Sequence, residues 1–96
     1  MKNTKQKTVY REGWLRFNSQ NGRYALWGEN LLTGYPILLN PGFHCGDTMQ
    51  VKLKSGKWFP TRIEMRQDKS WYLCDIRTPE SLDDIAVRVT MYYVTT

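Results

Sequence analysis

The chain has 96 residues and a formal net charge of +5, enough for one domain and too little for two. Four Trp, six Tyr and three Phe supply large side chains for a small core and favour strands over helices. No apolar run approaches the ~18–20 residues that cross a bilayer, and the lysine-rich start Met1-Lys-Asn-Thr-Lys-Gln-Lys-Thr8 has no apolar stretch behind it, so no signal peptide, no membrane partner and a cytoplasmic location are expected.

In chain order, residues 1–10 read as a flexible basic tail, and residues 11–96 as one β domain. Trp14-Leu-Arg-Phe17 and Arg23-Tyr-Ala-Leu-Trp27 flank the turn-forming Asn18-Ser-Gln-Asn-Gly22, which predicts a hairpin. Residues 28–47 are broken by Gly28, Gly34, Pro36, Pro41, Gly42 and Gly46, leaving one short strand at Pro36-Ile-Leu-Leu39. From Thr48 to Lys54, Met49, Val51 and Leu53 alternate with Gln50, Lys52 and Lys54. Ser55-Gly56 reads as a two-residue turn. The returning strand sends Phe59, Thr61, Ile63 and Met65 one way and Trp58, Pro60, Arg62, Glu64 and Arg66 the other.

Gln67-Asp-Lys-Ser70 turns the chain into Trp71-Tyr-Leu-Cys-Asp-Ile76. Thr78 and Pro79 are placed to cap and open at most one short helical turn near residues 79–84. The last strand, Ile85 to Val94, is expected to point Ile85, Val87, Val89, Met91 and Tyr93 inward and Arg88, Thr90 and Tyr92 outward. Six or seven short strands with this spacing predict an all-β fold, a small antiparallel SH3-like barrel.

Glu12-Gly-Trp-Leu15, Gly22-Arg-Tyr24, His44-Cys-Gly-Asp47, Trp58, Thr61-Arg-Ile-Glu64, Trp71-Tyr-Leu73 and Val87-Arg-Val89 together resemble a family of small bacterial domains of unknown function that accompany mobile genetic elements. The resemblance implies a domain spanning about residues 12–89, without an assigned activity or catalytic residue. Two segments depart from the pattern: Gly28 to Gly42 is longer, and Met91-Tyr-Tyr-Val-Thr95 reads as an extension.

The chemistry-bearing residues argue against an enzyme. Cys45 and Cys74 are expected as reduced thiols, Cys74 in the core. His44, Cys45 and Asp47 are zinc-ligand types, but structural zinc sites use paired ligands two to four residues apart in both halves, and neighbouring residues point to opposite faces of a strand. No metal and no cofactor are expected. A Cys–His catalytic pair needs an imidazole within reach of the thiol and a group to orient it, and His44, the single histidine, offers neither in sequence. Phosphate-cradling glycine motifs are absent.

What remains is a run of cations with an aromatic: Lys52, Lys54, Lys57, Trp58, Arg62, Arg66 and Lys69, followed by the acidic stretch Asp75 to Asp84. The bland reading is a solvated face with an Arg62–Glu64 ladder. The functional reading makes those seven residues a binding surface. The leading expectation is a non-enzymatic binding module, an accessory protein or inhibitor contacting a protein of the host's nucleic-acid or defence machinery. The alternative is direct nucleic-acid binding through a basic and aromatic face.

Overall fold

The computed structural model describes residues 6–95. Seven strands occur in order: β1 (Gln6–Asn18), β2 (Arg23–Glu29), β3 (Pro36–Asn40), β4 (Thr48–Lys52), β5 (Trp58–Met65), β6 (Trp71–Leu73) and β7 (Ala86–Thr95). They form one antiparallel sheet ordered β3-β2-β1-β7-β4-β5-β6, curled into a half-barrel. The expected all-β, small-barrel architecture is what the chain adopts. No helix among the described residues is long and apolar enough to cross a membrane.

Alternation builds the concave face. Leu15, Leu26, Ile63, Leu73, Leu82 and Val87 are fully buried, joined by Tyr24, Phe43, Met49, Val51 and Trp71. Few polar groups enter this core, and each is satisfied. The Thr61 hydroxyl donates to the Cys74 carbonyl at 2.7 Å, and the Leu82 amide donates to the Tyr24 hydroxyl at 3.0 Å. The Trp71 indole donates to the Gly22 carbonyl at 2.9 Å, so a side chain, not a strand ladder, ties the β6 edge back to the β1–β2 turn.

Four expectations are corrected. The basic tail was expected to reach residue 10, but Gln6 to Tyr10 belong to β1 and pair with β7; residues 1–5 lie outside the described residues. The β4–β5 turn has three residues, Lys54 to Gly56, closed by the Leu53 amide on the Lys57 carbonyl at 2.8 Å. Gly56 sits at φ 88°, the left-handed position of a three-residue hairpin. The extra residue matters, because a two-residue turn would set Lys52 opposite Phe59 and mix the two faces, whereas the observed register sets it opposite Trp58.

No helical turn forms at residues 79–84. That segment hydrogen-bonds to β1 instead: Asp84 donates to the Leu15 carbonyl at 2.8 Å, and Asp83 Oδ1 accepts the Phe17 amide at 2.7 Å. Asp84 at φ 69° is incompatible with a continuing helix. Finally, Met91 and Tyr93 are exposed, not buried. The β1–β7 register slips between Val9 and Tyr10, so that Val9 faces Tyr92 while Tyr10 faces Thr90. Met91 is the bulged residue, and beyond it Tyr92, Tyr93 and Val94 are exposed alike, because the ribbon they form with the start of β1 extends past the core.

Candidate functional site

The convex face of the sheet gathers aromatic rings and cations. Register places Arg88 beside Gln50 and beside Glu12, Gln50 beside Pro60, Lys52 beside Trp58 and Thr48 beside Arg62. Arg88 lies at the centre. Its guanidinium is 3.7 Å from the Tyr10 ring centroid and 4.6 Å from that of Trp58, and its Nε donates to Gln50 Oε1 at 2.6 Å. The Lys52 ammonium stands 5.9 Å from the Trp58 ring. Arg66 stacks at 4.4 Å on Tyr72, which neighbours Glu64 across β5–β6.

Of the seven residues singled out from sequence, the sheet sets Lys52 beside Trp58, with Arg62 farther along β5 and Arg66 beyond that strand's far end, on Tyr72. Lys54 and Lys57 lie in or beside the β4–β5 turn, and Lys69 in the β5–β6 turn, at the opposite end of an eight-residue strand. At about 3.3 Å per residue those ends are roughly 25 Å apart, so the seven do not make one patch. Arg62 Nε is 3.5 Å from Glu64 Oε1, a pairing along the strand that occupies part of its charge. Arg88, Tyr10, Gln50 and Tyr72 were missed as site residues. Alternation already turned Arg88 outward; what sequence lacked was β7's place between β1 and β4.

A second surface is apolar. The tip joining β2 to β3 carries Leu31, Leu32 and Tyr35 at 90%, 96% and 74% exposure. It is a built turn: Asn30 Oδ1 accepts the amides of Leu32 and Thr33 at 2.9 and 3.2 Å. The Gly34 amide donates to the Asn30 carbonyl at 2.7 Å and the Asn30 amide to the Tyr35 carbonyl at 2.8 Å, with Gly34 at φ 76°. Between this tip and the protruding β1–β7 ribbon runs an open groove of about 650 Å³, lined by the apolar Val9, Trp14, Leu31, Met91 and Tyr92 and by Arg11, Glu12 and Glu29. Arg11 and Met91 also border a neighbouring hollow of about 390 Å³ with Leu39, Phe43 and Val89.

His44-Cys-Gly-Asp47 is a turn clipped to β5. The His44 amide donates to Asp47 Oδ2 at 2.8 Å, the Asp47 amide returns to the His44 carbonyl at 3.1 Å, and the Gly46 amide reaches the Ile63 carbonyl at 2.8 Å. Cys45 is exposed and Cys74 buried, both as free thiols. Among the described residues no three His, Cys, Asp or Glu side chains converge as metal ligands.

A family model described as Domain of unknown function (DUF5348) matches residues 13–89. A crystal structure of a protein from Ruminococcus gnavus is similar at 38% identity and a TM-score of 0.62, covering 82% of this chain and all of that one. No curated protein matches the chain.

Proposed function

Because the chain belongs to the DUF5348 family, whose description assigns no activity, we propose from its own surface that it is a non-enzymatic binding module acting by protein contact, through the groove between the β2–β3 tip and the β1–β7 ribbon. The observation that carries this reading is the hydrogen-bonded tip holding Leu31 and Leu32 almost wholly in water. Single exposed apolar residues are ordinary, but Leu31, Leu32 and Tyr35 together on one held turn are the kind of exposure that marks an interaction surface. A partner segment with apolar side chains for Leu31, Met91 and Tyr92 fits the lining, whose rim carries Arg11, Glu12 and Glu29. The chain's resemblance to small domains that accompany mobile genetic elements makes the host's nucleic-acid or defence machinery the first place to seek that partner.

The test is affinity capture from a bacterial lysate with the wild type and a Leu31→Ser/Leu32→Ser/Tyr35→Ser variant. These side chains touch no core, so the variant should unfold within about 0.5 kcal/mol of the wild type. A protein held by the wild type in high salt and released by the variant supports the reading. Equal capture by both refutes it.

A second reading rests on a separate observation, the convex alignment of Lys52, Arg66 and Arg88 with Tyr10, Trp58 and Tyr72. Cationic tracks with aromatic rings bind single-stranded nucleic acid by phosphate contact and stacking. That reading expects fluorescence-anisotropy binding of an oligonucleotide that falls steeply with salt and is lost in Lys52→Glu/Arg62→Glu. Absence of binding at low salt sinks it.

A further inference from the structure

Among the described residues the sheet has several exposed strand edges, and all but one are blunted. β3 is five residues long and begins with Pro36, which has no amide to donate. β6 has three residues. The outer edge of β1, beyond its pairing with β2, carries Lys7, Arg11 and Glu12. Short length, proline and charge are the usual guards against edge-to-edge association.

The edge of β7 that faces β4 has no such guard. β4 pairs with β7 at Gln50↔Arg88 and Val51↔Val87 and then diverges. From Val89 the strand reads Val-Thr-Met-Tyr-Tyr-Val-Thr to Thr95, with no charge, Gly or Pro and every residue a strand former or Met. Met91, Tyr92 and Tyr93 are each more than half exposed, and β7 is already held extended by β1 on its other side. A pre-formed strand loses little further conformational entropy on pairing.

We propose that this edge is a self-association site, on which β7 of a second copy pairs antiparallel across Met91–Val94 to continue the sheet through a two-fold axis. Self-complementarity selects a second copy over a foreign strand. A two-fold antiparallel pairing sets the segment against itself, and here Thr, Met, Tyr and Val meet only one another, with aromatic and β-branched cross-strand pairs. The same operation on the β1 edge would bring Lys7 toward Arg11 of the copy, a like-charge contact that disfavours that edge. The site shares Met91 and Tyr92 with the groove lining, but its readout is association of the chain with itself, which the groove reading does not predict.

The pairing covers only a few residues, less than the roughly 800 Å² per partner of a standard interface, so the dimer is expected between about 10 µM and 1 mM. Sedimentation equilibrium of the full chain over that range should show the mass rising toward twice the monomer. Hydrogen exchange in the same samples should show amides of Met91 to Thr95 gaining protection with concentration. Met91→Lys and Tyr93→Lys place charges on the edge without touching the core, and each should keep the chain monomeric with an unchanged circular dichroism spectrum. A chain that stays monomeric at about 1 mM, or one that dimerises equally well with either lysine, overturns the proposal.

Discussion

The guanidinium of Arg88 is held between the rings of Tyr10 and Trp58 and by the Gln50 amide oxygen, which joins β1, β7, β4 and β5 through one side chain. A desolvated cation–π contact contributes about 1–2 kcal/mol and a hydrogen bond to a charged group about 1.5–3 kcal/mol. Partial exposure reduces both, and Arg88→Met, which keeps the apolar stem, is expected to lower stability by about 1–2 kcal/mol in urea unfolding. A change below about 0.5 kcal/mol would show that the stack is incidental.

A second prediction at this scale concerns Asp68. Its carboxylate accepts the Ser70 hydroxyl at 2.6 Å and the Ser70 amide at 2.9 Å, and these bonds, with a smaller contribution from the Arg66 charge, hold its pKa below the ordinary value. The folded pKa is the lower one, so the turn's contribution is complete above the unfolded carboxylate value near 3.9 and is lost as pH falls through the folded one. Titration followed by NMR should find Asp68 below the ordinary carboxylate value, and Ser70→Ala should return it toward that value. The directions of Lys52, Trp58, Arg62 and Arg88 were legible from alternation alone. Their neighbours were not, because Arg88 and Gln50 are 38 residues apart in sequence and nothing local encodes that pairing.

The strands themselves were legible wherever hydrophobic alternation ran between turn formers: β2, β4 and β5 fall where periodicity places them, while β6 starts at Trp71 as expected but ends at Leu73, short of Ile76. The misreadings sit where backbone geometry outranks periodicity. At residues 79–84 capping residues signalled a helix start, but β1 offered the backbone better partners, the Leu15 carbonyl and amide. The β5–β6 turn repeats the three-residue form of the β4–β5 turn with a lysine at the left-handed position, Lys69 at φ 72°, where Gly56 stands in the other. A non-glycine residue there is strained by about 1–2 kcal/mol, partly offset by glycine's greater freedom in the unfolded chain. Lys69→Gly should therefore stabilise the protein by about 0.5–1 kcal/mol in thermal or urea unfolding, while leaving the convex strip intact, and a loss of stability would contradict the turn geometry.

At the scale of the molecule, the fully buried side chains fall between Leu15 and Val87, inside the family-matched residues 13–89. The ribbon of Gln6–Val9 and Tyr92–Thr95 lies outside them and helps stretch the protein to 55 × 34 × 26 Å. Core and ribbon thus separate two tasks: one half-barrel holds the fold, and an added two-stranded extension supplies one wall of the groove and the unguarded β7 edge. Sequence signalled the extension as Met91–Thr95 but not its partner, since the basic start of the chain looked like a tail. A fragment of residues 10–90 keeps the Tyr10↔Thr90 pair, the Arg88 stack and the whole core. It is expected to unfold cooperatively, about 1–2 kcal/mol less stable than the full chain, and to sediment as a monomer at concentrations where the full chain associates. Failure of this fragment to fold would mean that the ribbon is part of the folding unit, whereas a folded fragment that still dimerises would move the contact between copies away from β7.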